Sequence, residues 1–148
     1  MKRISTTIAI LALAAFGLQA QHKTYFVSPE GNDNADGLSV SNAWKSIDKV
    51  NASVFQAGDR VLFEGGATFY GNLVIKSSGS PEKPIVFSGY GQGRPVINMG
   101  KEEGTAITIL NSDGLEIVGF EITSGFPPEV GVGRNGILID EREPGRAF

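Results

Sequence analysis

The sequence contains no cysteine, so the chain forms no disulfide and no zinc site built from thiolates. It contains a single histidine, His22, which excludes a histidine-rich metal site. This histidine lies near the N-terminus, which also argues against a serine-histidine-aspartate triad built around a well-packed imidazole. The fold is therefore expected to depend on its hydrophobic core alone.

Basic residues are also in deficit, with 13 Lys and Arg against 16 Asp and Glu and a net charge of −3. A protein that binds nucleic acid needs a basic face for the phosphates, so we expect no nucleic-acid partner. The acidic balance disfavours general attraction to acidic polysaccharides as well, although a local basic cleft or a bound cation would override it.

The first 20 residues have the parts of a secretory signal peptide. Lys2 and Arg3 form a basic head, residues 8–18 form an apolar run, and Ala20 offers a small residue for cleavage. The run is shorter than the stretch of about 20 residues that a membrane helix needs. Cleavage after Ala20 removes both basic residues and takes the net charge from −3 to −5. We predict a secreted, periplasmic or cell-surface protein with one domain, residues 21–148, and no membrane association after cleavage.

Glycine is abundant, with 20 residues, about twice the usual share of roughly 7%. The glycines are scattered between short apolar runs, which indicates many turns rather than a flexible linker. The runs are rich in Val, Ile and Phe, as strands with at least one buried face are. They cover residues 25–27, 61–63, 73–75, 85–87, 96–97, 107–110, 115–118, 120–122 and 137–139.

Residues 42–55 form the one segment with a helical period. Ser39 or Ser41 could cap its first turn, and Gly58 could end it. We therefore predict one amphipathic helix that precedes nearly all the strands. The apolar positions of the predicted stripe are Trp44, Ile47, Val50 and Val54.

The spacing of the strands predicts a solenoid with coils of 20–25 residues. Val61, Ile85 and Ile107 follow one another at 24 and 22 residues, and a second series runs through Leu73, Val96 and Ile117. A β-sandwich is the alternative, because strands that start every 8–12 residues are typical of sandwiches too. The helix favours the solenoid, since an amphipathic helix would cover its open end.

Several short motifs between Thr24 and Ile139 form a pattern found in a known family. They are YFVSPEGND at 25–33, DG at 36–37, AWKSI at 43–47, AGDRVLF at 57–63, PIVF at 84–87, YG at 90–91 and RPVI at 94–97. The pattern resembles the opening of secreted right-handed parallel β-helix proteins of the pectin-lyase-like superfamily, which includes pectate, alginate and chondroitin lyases. The resemblance implies an all-β fold, the start of a right-handed parallel β-helix with one N-terminal capping helix.

The resemblance also implies a function outside the cytoplasm on a polysaccharide, with cleavage of an acidic glycan by β-elimination as the expected reaction. A glycoside hydrolase of the same fold, a non-catalytic glycan-binding or surface β-helix protein and a sandwich-type carbohydrate-binding module stay open as alternatives. Such β-helix proteins have many coils, whereas three to four fit here, and residues 141–148 offer no closing cap. The chain is therefore expected to be a fragment that is inactive alone, and no catalytic residue is carried over.

A lyase needs a cation near the carboxylate of its substrate and a base that takes the neighbouring proton. Lys76, Arg94 and Arg134 are the candidates for binding a substrate carboxylate. A glycosidase would need two carboxylates about 5–10 Å apart. The acidic residues available for such a pair are Asp113, Glu116, Glu121, Asp140 and Glu141, of which Glu116 and Glu121 alternate with apolar residues and are expected to face solvent.

Aromatic residues in turn-like contexts could stack on sugar rings: Tyr70, Tyr90 and Phe126. Residues 32–37 partly match a calcium-binding loop, with Asp33 and Asp36 as candidate ligands. The match fails at position 12, where Ala43 stands in place of the required Glu, so an Asx-rich turn is the expected structure. No cofactor is evident in the sequence, and calcium is an expectation for the full-length parent only.

Overall fold

The computed structural model describes residues 21–100, 104–124 and 134–141. The predicted signal peptide, Phe126 and most of the predicted tail lie outside these residues. No helix in the described part of the chain is long and apolar enough to cross a membrane.

The described residues form ten strands, one short helix and one 3-10 turn. The strands are β1 (Thr24–Val27), β2 (Arg60–Glu64), β3 (Thr68–Tyr70), β4 (Leu73–Ile75), β5 (Ile85–Tyr90), β6 (Val96–Asn98), β7 (Gly104–Leu110), β8 (Leu115–Ile117), β9 (Glu121–Thr123) and β10 (Arg134–Asp140). The 3-10 turn is Val40–Asn42 and the helix, α1, is Ile47–Asn51.

The strands form three parallel sheets that the chain visits in turn. The first sheet has the order β1-β2-β5-β8, the second β3-β6-β9 and the third β4-β7-β10. Each passage through the three sheets therefore lays one strand beside its predecessor in every sheet. All the strand pairings described are parallel, and this excludes the predicted alternative of an antiparallel sandwich for this part of the chain.

Alternation along the strands builds the core. In β2, Val61 and Phe63 are buried and Arg60 is exposed, as expected for strands with one face inward. Residues in register stack into columns that run from one strand to the next, such as Phe69 on Ile97. Burying a large apolar side chain contributes about 1.5–3 kcal/mol, so these columns are the main source of stability.

The predicted helix over residues 42–55 is wrong in length. Ser46 is the N-cap of α1, and its hydroxyl accepts a hydrogen bond from Lys49 N at 3.1 Å. Trp44 is extended and bridges Val27, so it is buried but not helical. Val54, predicted on the inner stripe, is 84% exposed.

The helix is short because polar groups fix both of its ends. The Asp33 carboxylate accepts hydrogen bonds from Lys45 N and Ser46 N, which holds the residues before α1 in extended form. Ser53 Oγ donates to Lys49 O at 2.8 Å in the last turn. Gly58 does have a left-handed φ of 90°, but it lies beyond the helix. The apolar face of α1 packs on β4 through Ile47 and Val50.

The predicted coil length of 20–25 residues is also wrong. Val61 pairs with Phe87, 26 residues on, and Leu73 pairs with Ile107, 34 residues on. Ile85 and Ile107, which the spacing put in one series, lie in different sheets. The reason is that the connections differ in length: a two-residue turn joins β3 to β4, whereas residues 76–84 join β4 to β5.

Candidate functional site

Tyr70 is the most exposed aromatic residue among those the structure describes, with 73% of its surface accessible. It is the last residue of β3, where Phe69 points inward and packs edge-on against Phe63 at 5.0 Å between ring centroids. Because neighbouring side chains of a strand face opposite ways, burial of Phe69 sends Tyr70 outward. Gly71 follows with a φ of 119° and turns the chain directly into β4.

The helix α1 holds this turn in place. Asn51 Nδ2 donates to Asn72 O at 2.8 Å, and Asn51 Oδ1 accepts from Val74 N at 2.8 Å. One side chain therefore satisfies a carbonyl and an amide on either side of Leu73, at the start of β4. The result is that the α1 surface lies beside Tyr70 in a fixed position.

Two hollows flank Tyr70. The smaller, of about 250 Å³, lies toward the start of α1 and is lined by Pro29, Lys45 and Thr68 among others. The larger, of about 620 Å³, lies toward Asn72 and Asn98. Asp48 and Tyr70 line both. We call the surface formed by Lys45, Asp48, Tyr70, Asn72 and Asn98 the Tyr70 surface.

The polar groups of the Tyr70 surface are partly available to a ligand. Asn98 Oδ1 accepts a hydrogen bond from Gly100 N at 2.7 Å, and no described residue accepts from its Nδ2. Asp48 is exposed, and its carboxylate accepts no hydrogen bond from a described residue. The sequence did not single out Asp48 or Asn98, because no spacing signal connects residues of α1, β3 and β6.

A second polar cluster lies at the end of the first sheet. Ser28 Oγ donates to Glu64 Oε2 at 2.5 Å, and Glu64 pairs in register with Tyr90. Burial and the nearby Glu64 carboxylate raise the pKa of Tyr90 above its ordinary value, and a hydrogen bond with Ser28 opposes that rise. Tyr90 is half-buried and packs edge-on against Phe26 at 5.3 Å. Its ring is therefore less open to a ligand than that of Tyr70.

The three predicted carboxylate-binding residues are not brought together by the described fold. Lys76 begins the connection from the third sheet to the first, and Arg94 lies in the connection from the first sheet to the second. Both are exposed. Arg134 is the first residue of β10, in the third sheet. These positions describe no single cationic cleft.

The acidic candidates are equally dispersed. Asp113 precedes β8, Glu116 lies in the first sheet and Glu121 in the second. Glu116 and Glu121 face solvent as predicted. Asp140 and Glu141 lie at the end of the third sheet. No two members of the predicted set share a sheet except the consecutive pair Asp140 and Glu141.

The loop of the candidate calcium ligands forms the expected Asx turns. Asn34 N donates to Asn32 Oδ1 at 2.9 Å, and Leu38 N donates to Asp36 Oδ1 at 3.0 Å. The Asp33 carboxylate accepts from Lys45 N, Ser46 N and Ser46 Oγ at 2.8, 3.0 and 2.7 Å. Among the described residues, no group of three or more His, Cys, Asp and Glu side chains lies in a metal-binding arrangement.

Burial alone would raise the pKa of Asp33. Hydrogen bonds from the Ser46 hydroxyl and from the backbone amides of Lys45 and Ser46, together with the charge of Lys49, outweigh it and hold the pKa below its ordinary value. The carboxylate thus acts as a brace between its loop and the start of α1.

No family model matches the sequence, and no curated protein matches it. Similar solved structures exist. The selenomethionine derivative of the GH136 lacto-N-biosidase from Eubacterium ramulus has a TM-score of 0.71 and 25% identity, covering 79% of this chain and 24% of that one. The native crystal structure of the same enzyme has a TM-score of 0.70 and 25% identity, covering 78% and 23%.

A rhamnogalacturonan lyase is similar at a TM-score of 0.55 and 25% identity, covering 68% of this chain and 28% of that chain. The chain therefore spans about a quarter of the length of these structures. The neighbours include a glycoside hydrolase and a polysaccharide lyase, and they support the β-rich fold with parallel sheets described above.

Proposed function

We propose that the chain forms the first coils of a right-handed parallel β-helix in an extracytoplasmic protein that acts on polysaccharides. The observation that carries the proposal is the strand order: the chain passes through three parallel sheets in turn, and each passage adds one strand to every sheet. Similarity to a lacto-N-biosidase and to a rhamnogalacturonan lyase supports a glycan as the ligand. Fold alone does not fix chemistry, so the reaction is a separate part of the proposal.

For the reaction we retain β-elimination on an acidic glycan by the full-length protein, at a site outside the residues described here. Glycosidic hydrolysis is the second candidate, favoured by the higher TM-score of the GH136 enzyme. The two reactions differ in product. A lyase creates an unsaturated uronate that absorbs ultraviolet light, whereas a hydrolase creates reducing ends without that absorbance.

The 148-residue chain is expected to bind a polysaccharide without cleaving it. Affinity gel electrophoresis with rhamnogalacturonan, pectate, alginate, chondroitin and neutral galactan tests binding, and the two product assays on the same samples test cleavage. Retarded migration in at least one glycan supports the proposal. Unchanged migration in all of them would overturn glycan binding by this chain.

Secretion has its own test. N-terminal sequencing of protein exported from a cell is expected to find Gln21 as the first residue, because the predicted cleavage follows Ala20. A protein that keeps Met1 and remains in the cytoplasm would contradict the extracytoplasmic part of the proposal.

A further inference from the structure

We propose that the Tyr70 surface is a binding subsite for a neutral sugar residue. The inference rests on the proposed function and deepens it, because it names the class of sugar and the place where the sugar binds. It is independent of the reaction, since the Tyr70 surface contains no pair of carboxylates or cluster of cations among the described residues.

The exposed ring of Tyr70 is the first argument. A sugar ring has an apolar face of C–H groups and a rim of hydroxyls, and an aromatic ring offers it a flat apolar partner. Tyr70 has 73% of its surface exposed and stands between two hollows, so a ring placed on it has room on both sides. The larger hollow, about 620 Å³, is within the range of about 300–1,000 Å³ typical of small-molecule sites.

Hydrogen-bonding groups continue from Tyr70 across the second sheet. Tyr70 is in register with Asn98, and Asn98 is in register with Thr123. Neighbouring strands lie about 4.8 Å apart, so the three residues form a row about 10 Å long. The Asn98 Nδ2 donor, which no described residue engages, is therefore one strand away from the aromatic ring.

Charge selects between neutral and acidic sugars. Among the described residues that line the larger hollow, Asp48 carries the only formal charge, and neither Lys nor Arg is present. A carboxylate accepts strong hydrogen bonds from sugar hydroxyls but repels the carboxylate of a uronate. Lys45 lines only the smaller hollow, on the other side of Tyr70. The larger hollow therefore suits a neutral sugar.

The test is calorimetric titration of the full chain with neutral tetrasaccharides, of galactose and of N-acetylglucosamine-containing type, and with tetragalacturonate. We expect a neutral ligand to bind more tightly than tetragalacturonate. Tyr70→Ala should weaken neutral binding about tenfold, and Tyr70→Phe should change it by less than about twofold because the ring remains. Asp48→Lys should shift the preference toward tetragalacturonate. Val118→Ala, an exposed apolar residue in the first-to-second-sheet connection, is the matched control and should change nothing.

The outcomes separate this inference from the proposed function. Neutral binding that is unchanged in Tyr70→Ala overturns the subsite and leaves glycan binding standing. Binding of tetragalacturonate alone, insensitive to Asp48→Lys, overturns the subsite and favours an acidic glycan elsewhere on the chain. Absence of binding to any probe, for a chain whose circular dichroism and melting are cooperative and unchanged, overturns both.

Discussion

Asp33 shows how one side chain determines where an element begins. Its two oxygens accept three hydrogen bonds from Lys45 and Ser46, and Ser46 is in turn the N-cap of α1. The sequence pattern had suggested a candidate metal ligand at this position. A carboxylate with three protein donors has little capacity left for a cation, so a structural role accounts for the residue.

Asp33→Ala is expected to lower the free energy of unfolding by about 2 kcal/mol, because it leaves two backbone amides and a hydroxyl without their acceptor. Asp33→Asn should cost about half as much, since one oxygen remains. Urea unfolding at neutral pH measures both. Asp36→Ala is the control: it removes one exposed turn bond and should cost less than about 0.5 kcal/mol. Equal losses at both positions would contradict the brace.

The same carboxylate gives a pH dependence with a defined sign. The pKa of Asp33 is lower in the folded chain than its ordinary value of 3.8, so the stabilisation is present above that value and is lost as the pH falls through the lower folded pKa. In Asp33→Asn the loss of stability below about pH 4 should be shallower than in the unaltered chain. Millimolar calcium is expected to leave the melting temperature of the unaltered chain unchanged.

At the scale of elements, short runs of Val, Ile and Phe predicted most strands correctly, because these side chains pack on a pleated inner face. The β3 strand was missed, since Thr-Phe-Tyr buries only its central residue and ends on an exposed ring. The helix was overextended because Trp44, though spaced at a helical interval from Ile47, is buried in an extended bridge and stacks on Tyr25 at 4.8 Å. Periodicity does not distinguish these two ways of burying a tryptophan.

Asn51 connects two elements that the sequence gives no reason to associate. Asn51→Ala is expected to lower the free energy of unfolding by about 2–3 kcal/mol, because Val74 N and Asn72 O both lose their partner. Hydrogen exchange at the Val74 amide should accelerate more than exchange at the centre of β7. Asn51→Asp keeps the acceptor for Val74 N and should protect that amide better than Ala does.

Asn42→Ala serves as the control for this prediction, because Asn42 is exposed and its side chain makes no hydrogen bond to a described residue. It should leave both stability and Val74 exchange unchanged. If Asn51→Ala behaved like Asn42→Ala, the helix would not be holding the turn that presents Tyr70.

At the scale of the whole molecule, the spacing of apolar runs indicated repetition but not the partner of each strand. Ile85 pairs with Leu115 rather than with Ile107, because connections of unequal length separate the three sheets. The order of visiting was therefore inferable from the sequence only through the family resemblance. The Tyr70 surface was foreseen in part, as an aromatic residue suited to sugars. Its polar neighbours come from separate elements that only the fold brings together.

The edge strand β10 leads to the last prediction. Ile137 and Ile139 are 50% and 63% exposed, although Ile107 and Ile109, their partners in β7, are buried. Among the described strands β10 has β7 as its only neighbour, so one edge of its backbone is unpaired. Exposed apolar side chains beside an unpaired strand edge favour pairing with a second chain. The chain is therefore expected to self-associate end to end or to aggregate as its concentration rises.

Sedimentation velocity over a range of concentrations measures this association. The double variant Ile137→Lys with Ile139→Lys should remain monomeric, because inward-pointing charges on an edge strand oppose pairing. Val54→Lys places a lysine at another highly exposed apolar position, after α1, and should associate like the unaltered chain. This comparison separates an edge effect from a general effect of added positive charge on an acidic protein. A chain that is monomeric without substitution and melts cooperatively would show that β10 does not drive association, since the apolar residues it exposes would then be tolerated in water.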